Sequence, residues 1–179
     1  MNPPEQHGIA SGQEAPAKPE KTFHGRHDVP CLFSEAEGKP AFEWTTTLVA
    51  EEGAGANARL LVQPWLTISR WPGNVDAAAR VADKLVDNAV RHGRPFDDGR
   101  VSLHLIVAAD SGELFIEVDD AYPEFPGFDE AAGQSGKARG TPKGLWWVAH
   151  YRGRLAWGVK RGVGDVMAGK TVQAVLPLA

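Results

Sequence analysis

The chain has 179 residues, 42% of them hydrophobic and 23% charged, and a formal net charge of −4 at pH 7. These values fit one globular domain, alone or with an extension, and the mild acidity argues against a general nucleic-acid binder. A single cysteine, Cys31, excludes a disulfide framework and favours a reducing cytoplasm. No apolar run approaches the ~20 residues that span a bilayer, and no secretory signal is visible, so we expect no membrane association.

Composition changes near residue 41. The first 40 residues hold six of the 13 prolines and none of the six tryptophans. Such a segment buries too little apolar surface to offset the entropy lost on ordering. The sequence therefore predicts a disordered tail over residues 1–40 and a folded domain over residues 41–179. The apolar exceptions in the tail, which could dock on the domain or on a partner, are Phe23, Val29, Leu32 and Phe33.

The first half of the domain contains two helical patterns. Residues 57–70 carry apolar side chains at helical spacing, but Pro64 lies inside this pattern, so the helix either bends there or begins there. Asn74 is a suitable N-cap for a second helix over 75–92. Gly93 follows it at the position where a left-handed residue commonly ends a helix.

The second half is dominated by residues that alternate between apolar and polar, as strands do. Together with a β-branched and aromatic run near the start of the domain, this pattern predicts strands over 44–49, 101–109, 113–119, 154–160 and 170–176. A long glycine-containing loop over 121–142 and a short helix over 144–151 separate the third strand from the fourth. Several strands follow one another without helices between them, which favours an α+β layer of helices on a mixed sheet.

Residues 164–171 match the spacing of the Walker A phosphate loop. That loop binds phosphate only when a strand delivers it and a helix follows, so that backbone N–H groups surround the anion. Here Lys170 begins a segment that alternates like a strand, and no helix follows. The sequence therefore predicts that this match is not a phosphate-binding loop.

One edge of the second helix carries an unusual set of polar residues. At 100° per residue, Lys84, Asn88 and Arg91 lie together beside the apolar stripe. Asparagine is a poor mid-helix residue, and its amide oxygen is a suitable ligand for Mg²⁺. Arg91 and His92 could then contact phosphate. The alternative, a partly exposed polar edge with no ligand, remains open on these residues alone.

The same stretch, residues 84–92, resembles the N box of the GHKL (histidine-kinase-like) ATP-binding superfamily. It is most similar to the actinobacterial branch related to anti-sigma-factor serine/threonine kinases, and the resemblance covers about residues 45–178. It implies a two-layer α/β sandwich of the Bergerat type, a mixed and mostly antiparallel sheet with helices on one face. It also implies that the domain binds ATP with Mg²⁺, that Asn88 is the metal ligand, and that Arg91 and His92 belong to the nucleotide site.

Three further segments resemble the family in the expected order. Residues 116–123 are similar to the strand and turn that present the adenine-binding aspartate, which implies Asp120, with Asp119 as the alternative. Residues 140–145 are similar to the second glycine box of the mobile lid, where Gly144 matches and a proline replaces another glycine. Residues 169–178 resemble the closing strand, which implies that the Thr171 hydroxyl lies near the adenine and its aspartate.

The main departure from the family is Lys84, which occupies the position of the glutamate general base. A protonated lysine does not accept a proton at neutral pH, so we expect no catalytic residue there. The resemblance implies a cytoplasmic ATP-binding regulator of signalling or transcription that controls a sigma factor or a STAS-type anti-anti-sigma factor. It leaves open a homodimer formed through the first strand and helix. The alternative function is a nucleotide-independent, catalytically dead interaction module with the same fold; direct nucleic-acid binding is not expected.

Overall fold

A computed structural model describes residue 32, residues 39–133 and residues 144–178. These residues form a five-stranded sheet with four α-helices and one 3₁₀ turn over Val163–Asp165. In chain order the elements are β1 Phe42–Val49, α1 Ala54–Ile68, α2 Val75–His92, β2 Arg100–Val107, β3 Leu114–Asp120, α3 Phe128–Gly133, α4 Trp146–His150, β4 Arg154–Arg161 and β5 Met167–Leu176.

The strand order across the sheet is β1-β2-β3-β5-β4. Each neighbouring pair in this order is antiparallel, so the described sheet contains no parallel pairing, whereas the sequence favoured a mixed, mostly antiparallel sheet. The predicted α+β class with a two-layer arrangement is confirmed. The last strand, β5, lies between β3 and β4, and this insertion places Lys170 opposite Asp120.

The main core lies between the sheet and the two long helices. Alternate side chains of the strands face α1 and α2, and α2 contributes the broadest buried stripe. As predicted, Asn74 caps α2: its side chain accepts a hydrogen bond of 2.9 Å from the Ala77 N–H. The strong 3.6-residue period explains why both ends of this helix were predictable. Its buried residues are Ala77, Ala78, Ala79, Val81, Ala82, Leu85, Val86 and Ala89.

Two local predictions about the helices are corrected. Helix α1 begins ten residues before Pro64 and includes it, so the helix does not begin at the proline. Pro64 is exposed, where water can reach the carbonyl that the missing N–H leaves without a partner. Gly93 has φ −95° and ψ −155°, which is extended and not the left-handed conformation that we predicted.

The predictions for the loop after β3, the Walker A match and the tail have different outcomes. The predicted loop over 121–142 contains the short helix α3, and its residues 134–142 lie outside the described residues. Lys170 and Thr171 both belong to β5 and no helix follows them in the described chain, so the phosphate-loop match is confirmed as coincidental. Nearly all of the predicted tail also lies outside the described residues. Among those described, no helix is long and apolar enough to cross a membrane.

Candidate functional site

A cavity of about 1040 Å³ opens on the helical side of the sheet. Its walls come from the end of α2, the chain that follows β3, helix α3, the start of α4 and one residue of β5. The predicted site residues that line it are Asn88, Arg91, His92 and Gly144. The structure therefore brings residues from both ends of the domain sequence to one place.

Helix α2 provides the polar wall. Asn88 is half-buried, and its side-chain amide forms no hydrogen bond to another residue of the described chain. One turn later, the Arg91 Nε donates a 2.8 Å hydrogen bond to the Asp87 Oδ1, which orients the guanidinium along the wall. His92 follows at the last helical position. An unpaired amide beside a guanidinium and an imidazole can bind a hydrated cation together with an anion.

Lys84 does not line this cavity. Its ammonium group lies 3.2 Å from the Asp83 Oδ1, and its side chain is 26% exposed. The three residues that the sequence placed together on one edge of α2 are therefore divided. Asn88 and Arg91 line the cavity wall, whereas Lys84 lies one turn away. Within the described part of the wall, the carboxylate nearest to Asn88 in sequence is Asp87, which already binds Arg91.

Asp120 does not line the cavity; it lies behind the wall residues Lys170 and Tyr122, in a fully buried ion pair. The Lys170 Nζ is 2.9 Å from its Oδ1 and 2.8 Å from its Oδ2, and the lysine side chain is only 2% exposed. The Tyr122 N–H also donates to Oδ1 at 2.8 Å. Lys170 also donates a hydrogen bond to the Tyr122 carbonyl at 3.1 Å, and its ammonium lies 5.2 Å from the centre of the Tyr122 ring. This network fixes the aspartate and the turn that follows it.

The second oxygen of Asp120 is only partly satisfied. Oδ2 is close to the Lys170 ammonium, but it receives no hydrogen bond of good geometry from the described residues. It packs against Gly93, where an added Cβ would lie 2.7 Å from Oδ2 and 2.5 Å from the Ala89 carbonyl oxygen. Gly93 is therefore required for this close approach and not for a left-handed turn. Because Asp120 is fully buried, a donor group of a ligand would reach this oxygen only after the neighbouring residues move.

Gly144 lies at the opposite wall, beside Leu145 and Trp146. Its φ of +54° lies in the left-handed region, which glycine adopts most easily, and an added Cβ would meet open space. The rest of the second glycine box, residues 140–143, lies outside the described residues.

Thr171 does not reach the cavity, although the sequence placed it near the adenine. Successive strand residues point to opposite faces, so Thr171 lies on the face of the sheet away from the helices. There it donates a 2.6 Å hydrogen bond to the Asp119 Oδ1. Asp119, the alternative adenine ligand, is on this outer face for the same reason.

Asp119 is the centre of a polar row on the outer face. His104 Nε2 lies 3.2 Å from its Oδ2, Lys160 donates to the same oxygen, and Thr45 contacts the other ring nitrogen of His104 at 3.0 Å. Burial by itself would raise the pKa of Asp119. The hydrogen bonds from His104, Lys160 and Thr171 together outweigh burial and hold the pKa below its ordinary value of 3.8.

Lys170 was not predicted as a site residue. The alternation of β5 could have identified it, because Lys170 lies on the same face as Val172, Ala174 and Leu176, which pack in the core against the helices. A lysine in phase with core residues needs a buried counter-ion. The cavity residues Tyr122 and Phe125, whose rings lie near the Lys170 ammonium, were missed as well.

No protein-family model matches this chain, and a search of the curated proteins found no match.

Proposed function

We propose that the protein is a cytoplasmic, nucleotide-binding regulatory protein that binds Mg·ATP in this cavity and controls a protein partner. The observation that carries the proposal is the convergence of Asn88, Arg91, His92 and Gly144 on one cavity, from segments far apart in the chain. The partner implied by the resemblance is a sigma factor or a STAS-type anti-anti-sigma factor.

The cavity residues fit an adenine nucleotide at two ends. Behind the wall, the Asp120 Oδ2 receives no hydrogen bond of good geometry, and the exocyclic amine of adenine could donate to it if Gly93 and Lys170 moved aside. At the α2 wall, the unpaired Asn88 amide would bind Mg²⁺, and Arg91 and His92 would contact phosphate oxygens. Mg²⁺ held by Asn88 would supply positive charge beside the phosphates, while Gly144 would allow the backbone to approach the ligand closely.

The charged side chains of the cavity wall determine how the negative charge of a triphosphate would be balanced. The described wall contains three acidic and three basic side chains, namely Asp87, Glu124, Glu130, Arg91, Arg94 and Lys170. Two of the basic groups already bind Asp87 and Asp120. A triphosphate would therefore need Mg²⁺ to balance its charge, because the described wall has no excess of basic side chains.

Phosphoryl transfer is not part of the proposal. Lys84 binds Asp83 outside the cavity, and a lysine does not act as a base at neutral pH without strong desolvation. The side chain here is 26% exposed, which leaves it hydrated. Regulation would then depend on how nucleotide binding orders the cavity walls and changes the surface presented to the partner.

A nucleotide-independent interaction module is the second candidate, and two observations favour it. The buried Lys170 already occupies the polar atoms of Asp120, so an adenine amine must compete with an ion pair. In addition, α1 exposes an apolar stripe beside the edge strand β1, as a surface for a protein or for a second copy would; it comprises Leu60, Leu61, Trp65 and Ile68.

Calorimetric titration of the full chain with Mg·ATP and Mg·ADP tests the proposal. We expect saturable binding that is lost in Asn88→Ala, because this change removes the metal ligand. The matched control is Asn57→Ala, the same substitution at an exposed position of α1, which should bind as the wild type does. Circular dichroism would verify that both variants fold.

Two results would overturn nucleotide binding. The first is the absence of binding by the wild type at millimolar nucleotide, which would favour the interaction module. The second is an unchanged affinity in Asn88→Ala, which would remove the assigned metal ligand. Binding with measurable transfer of phosphate to a serine-containing partner would contradict only the absence of catalysis.

A further inference from the structure

The outer face of the sheet contains a small apolar cluster that is as well buried as the main core. Ile106, Phe115 and Val175 form it on three adjacent strands, together with Ala108, which directly follows β2. Phe115 is 2% exposed and Val175 is fully buried. A phenylalanine on an open sheet face would keep much of its ring in contact with water, so this burial requires a cover.

The helices that the structure describes do not provide that cover. The two long helices and α4 pack against the opposite face, where they share one core with the other phase of the strands. The outer cluster, by contrast, contains no helical residue among those that the structure describes. The part of the chain that the structure describes therefore leaves the occupant of this face unassigned.

The start of the domain lies next to the cluster. Ala41 donates a 2.9 Å hydrogen bond to the Val107 carbonyl, and Val107 stands between Ile106 and Ala108. Phe33 is eight residues before Ala41, which allows an extended span of about 26 Å. The distance from β1 to β5 is about 14 Å at the usual strand spacing. The apolar run over 29–33 can therefore reach every residue of the cluster.

The burial of one residue in the preceding chain bears on what covers the cluster. Leu32 is the only described residue before Lys39, and it is half-buried. A leucine in a solvated extension would be exposed, whereas a leucine packed on an apolar surface is partly covered. Its neighbours in sequence, Val29 and Phe33, are the other large apolar residues of this run.

We propose that the segment Val29–Phe33 docks on the outer face of the sheet and covers the cluster of Ile106, Ala108, Phe115 and Val175. Docking makes the N-terminal segment an intramolecular ligand of the domain. A protein partner that captures residues 29–33 would expose the cluster, so this surface gives the chain a second site of regulation, separate from the cavity on the opposite face.

Protection of the single cysteine tests the docking, because Cys31 lies inside the proposed segment. The measurement is the rate of alkylation of the full chain by iodoacetamide, a neutral reagent, in buffer and in concentrated guanidinium chloride. The ratio of the two rates corrects each variant for its own intrinsic reactivity. We expect Cys31 in the wild type to react at least tenfold more slowly in buffer than in denaturant.

Two pairs of matched variants locate the contact. Leu32→Ser with Phe33→Ser should abolish the protection, whereas Ile9→Ser with Phe23→Ser, the same chemical change elsewhere in the first 40 residues, should keep it. On the sheet, Ile106→Thr should weaken the protection, and Val49→Thr, at a position on the same face that is 47% exposed, should not. Circular dichroism confirms that each variant folds.

Three outcomes would overturn the proposal. One is a wild-type cysteine that reacts in buffer as fast as in denaturant. Another is protection that survives both Leu32→Ser with Phe33→Ser and Ile106→Thr. The third is protection that disappears on dilution together with a dimer, measured by light scattering, since a second copy of the chain would then cover the face.

Discussion

Two neighbouring aspartates, Asp119 and Asp120, have different surroundings on the two faces of the sheet. Asp119 and Asp120 are adjacent on β3, yet the first lies in a polar row on the outer face and the second behind the wall of a cavity on the helical face. Each is almost fully buried and each binds a lysine. The difference is in the lysine: Lys160 is 42% exposed, whereas Lys170 is 2% exposed.

The hydrogen-bond network around Asp119 is partly exposed to solvent, whereas the network around Asp120 is buried. Asp119 has donors from three strands and a lysine that reaches it from solvent, so loss of one partner leaves others in place. Asp120 depends on one buried cation and one backbone N–H. In a low-dielectric environment an ion pair is stronger, and the loss of one partner costs more free energy. The network around Asp120 is therefore more sensitive to substitution than the network around Asp119.

The largest expected effect is therefore from Lys170→Met, which leaves the Asp120 carboxylate without a counter-ion. Removing one partner of a buried ion pair costs about 3–5 kcal/mol in the free energy of unfolding. Lys160→Met makes the same change on the outer face and should cost about 1 kcal/mol or less. Urea unfolding of both variants measures the difference, and equal losses would contradict the contrast between the faces.

An intermediate effect is expected from Gly93→Ala, which tests the close packing behind Asp120. The new Cβ would lie 2.6 Å from the Asp120 Cγ and 2.5 Å from the Ala89 oxygen, so the helix end and the aspartate must separate. Overpacking of this kind costs about 1–3 kcal/mol. Gly162→Ala is the control, because its Cβ would make only an ordinary 3.4 Å contact. A neutral Gly93→Ala would show that this wall is not tightly packed.

The smallest expected effect is on the outer face, where Thr171→Val removes one hydrogen bond to Asp119 and costs about 1 kcal/mol. The pKa of Asp119 is lowered in the folded protein, so its ionisation stabilises the fold fully above the unfolded value near 3.8. This contribution is lost as pH falls through the lower folded value. In Thr171→Val the folded pKa moves up towards the unfolded value, so the acid-induced loss is smaller and is complete at a higher pH.

A pH series of unfolding free energies for the wild type, Thr171→Val and Asp119→Asn measures this shift. The difference between the wild type and Asp119→Asn should be greatest above pH 5 and shrink as the pH falls below 4. A difference that grows on acidification would contradict the sign of the Asp119 pKa shift.

The sequence predicted the elements better than the contacts between them. Helix α2 has a strong apolar period and a capping asparagine, so its bounds and the placement of Asn88 and Arg91 followed from local pattern. The pairing of Asp120 with Lys170 depends on β5 lying between β3 and β4, which no local pattern specifies. Both phases of β5 contain buried residues, so the alternation did not reveal that Thr171 faces away from the cavity.

Glycine positions illustrate the same limit. The sequence correctly ended α2 near Gly93, because glycine often follows a helix, but it gave the wrong reason for the residue. The actual reason is contact with an aspartate 27 residues later, on another element. A long-range contact of this kind is determined by the tertiary fold.

The most direct test of nucleotide binding in the cavity is to map Mg·ATP on the protein by the shifts of its backbone amide resonances. Binding there predicts that the largest shifts occur on the cavity wall, at Asn88, Gly93, Tyr122 and Gly144. Amides of the outer strand β1, such as Thr45 and Thr47, should change little. Shifts centred on the polar row around His104, or no shifts at saturating nucleotide, would contradict the assignment of the nucleotide to the helical face.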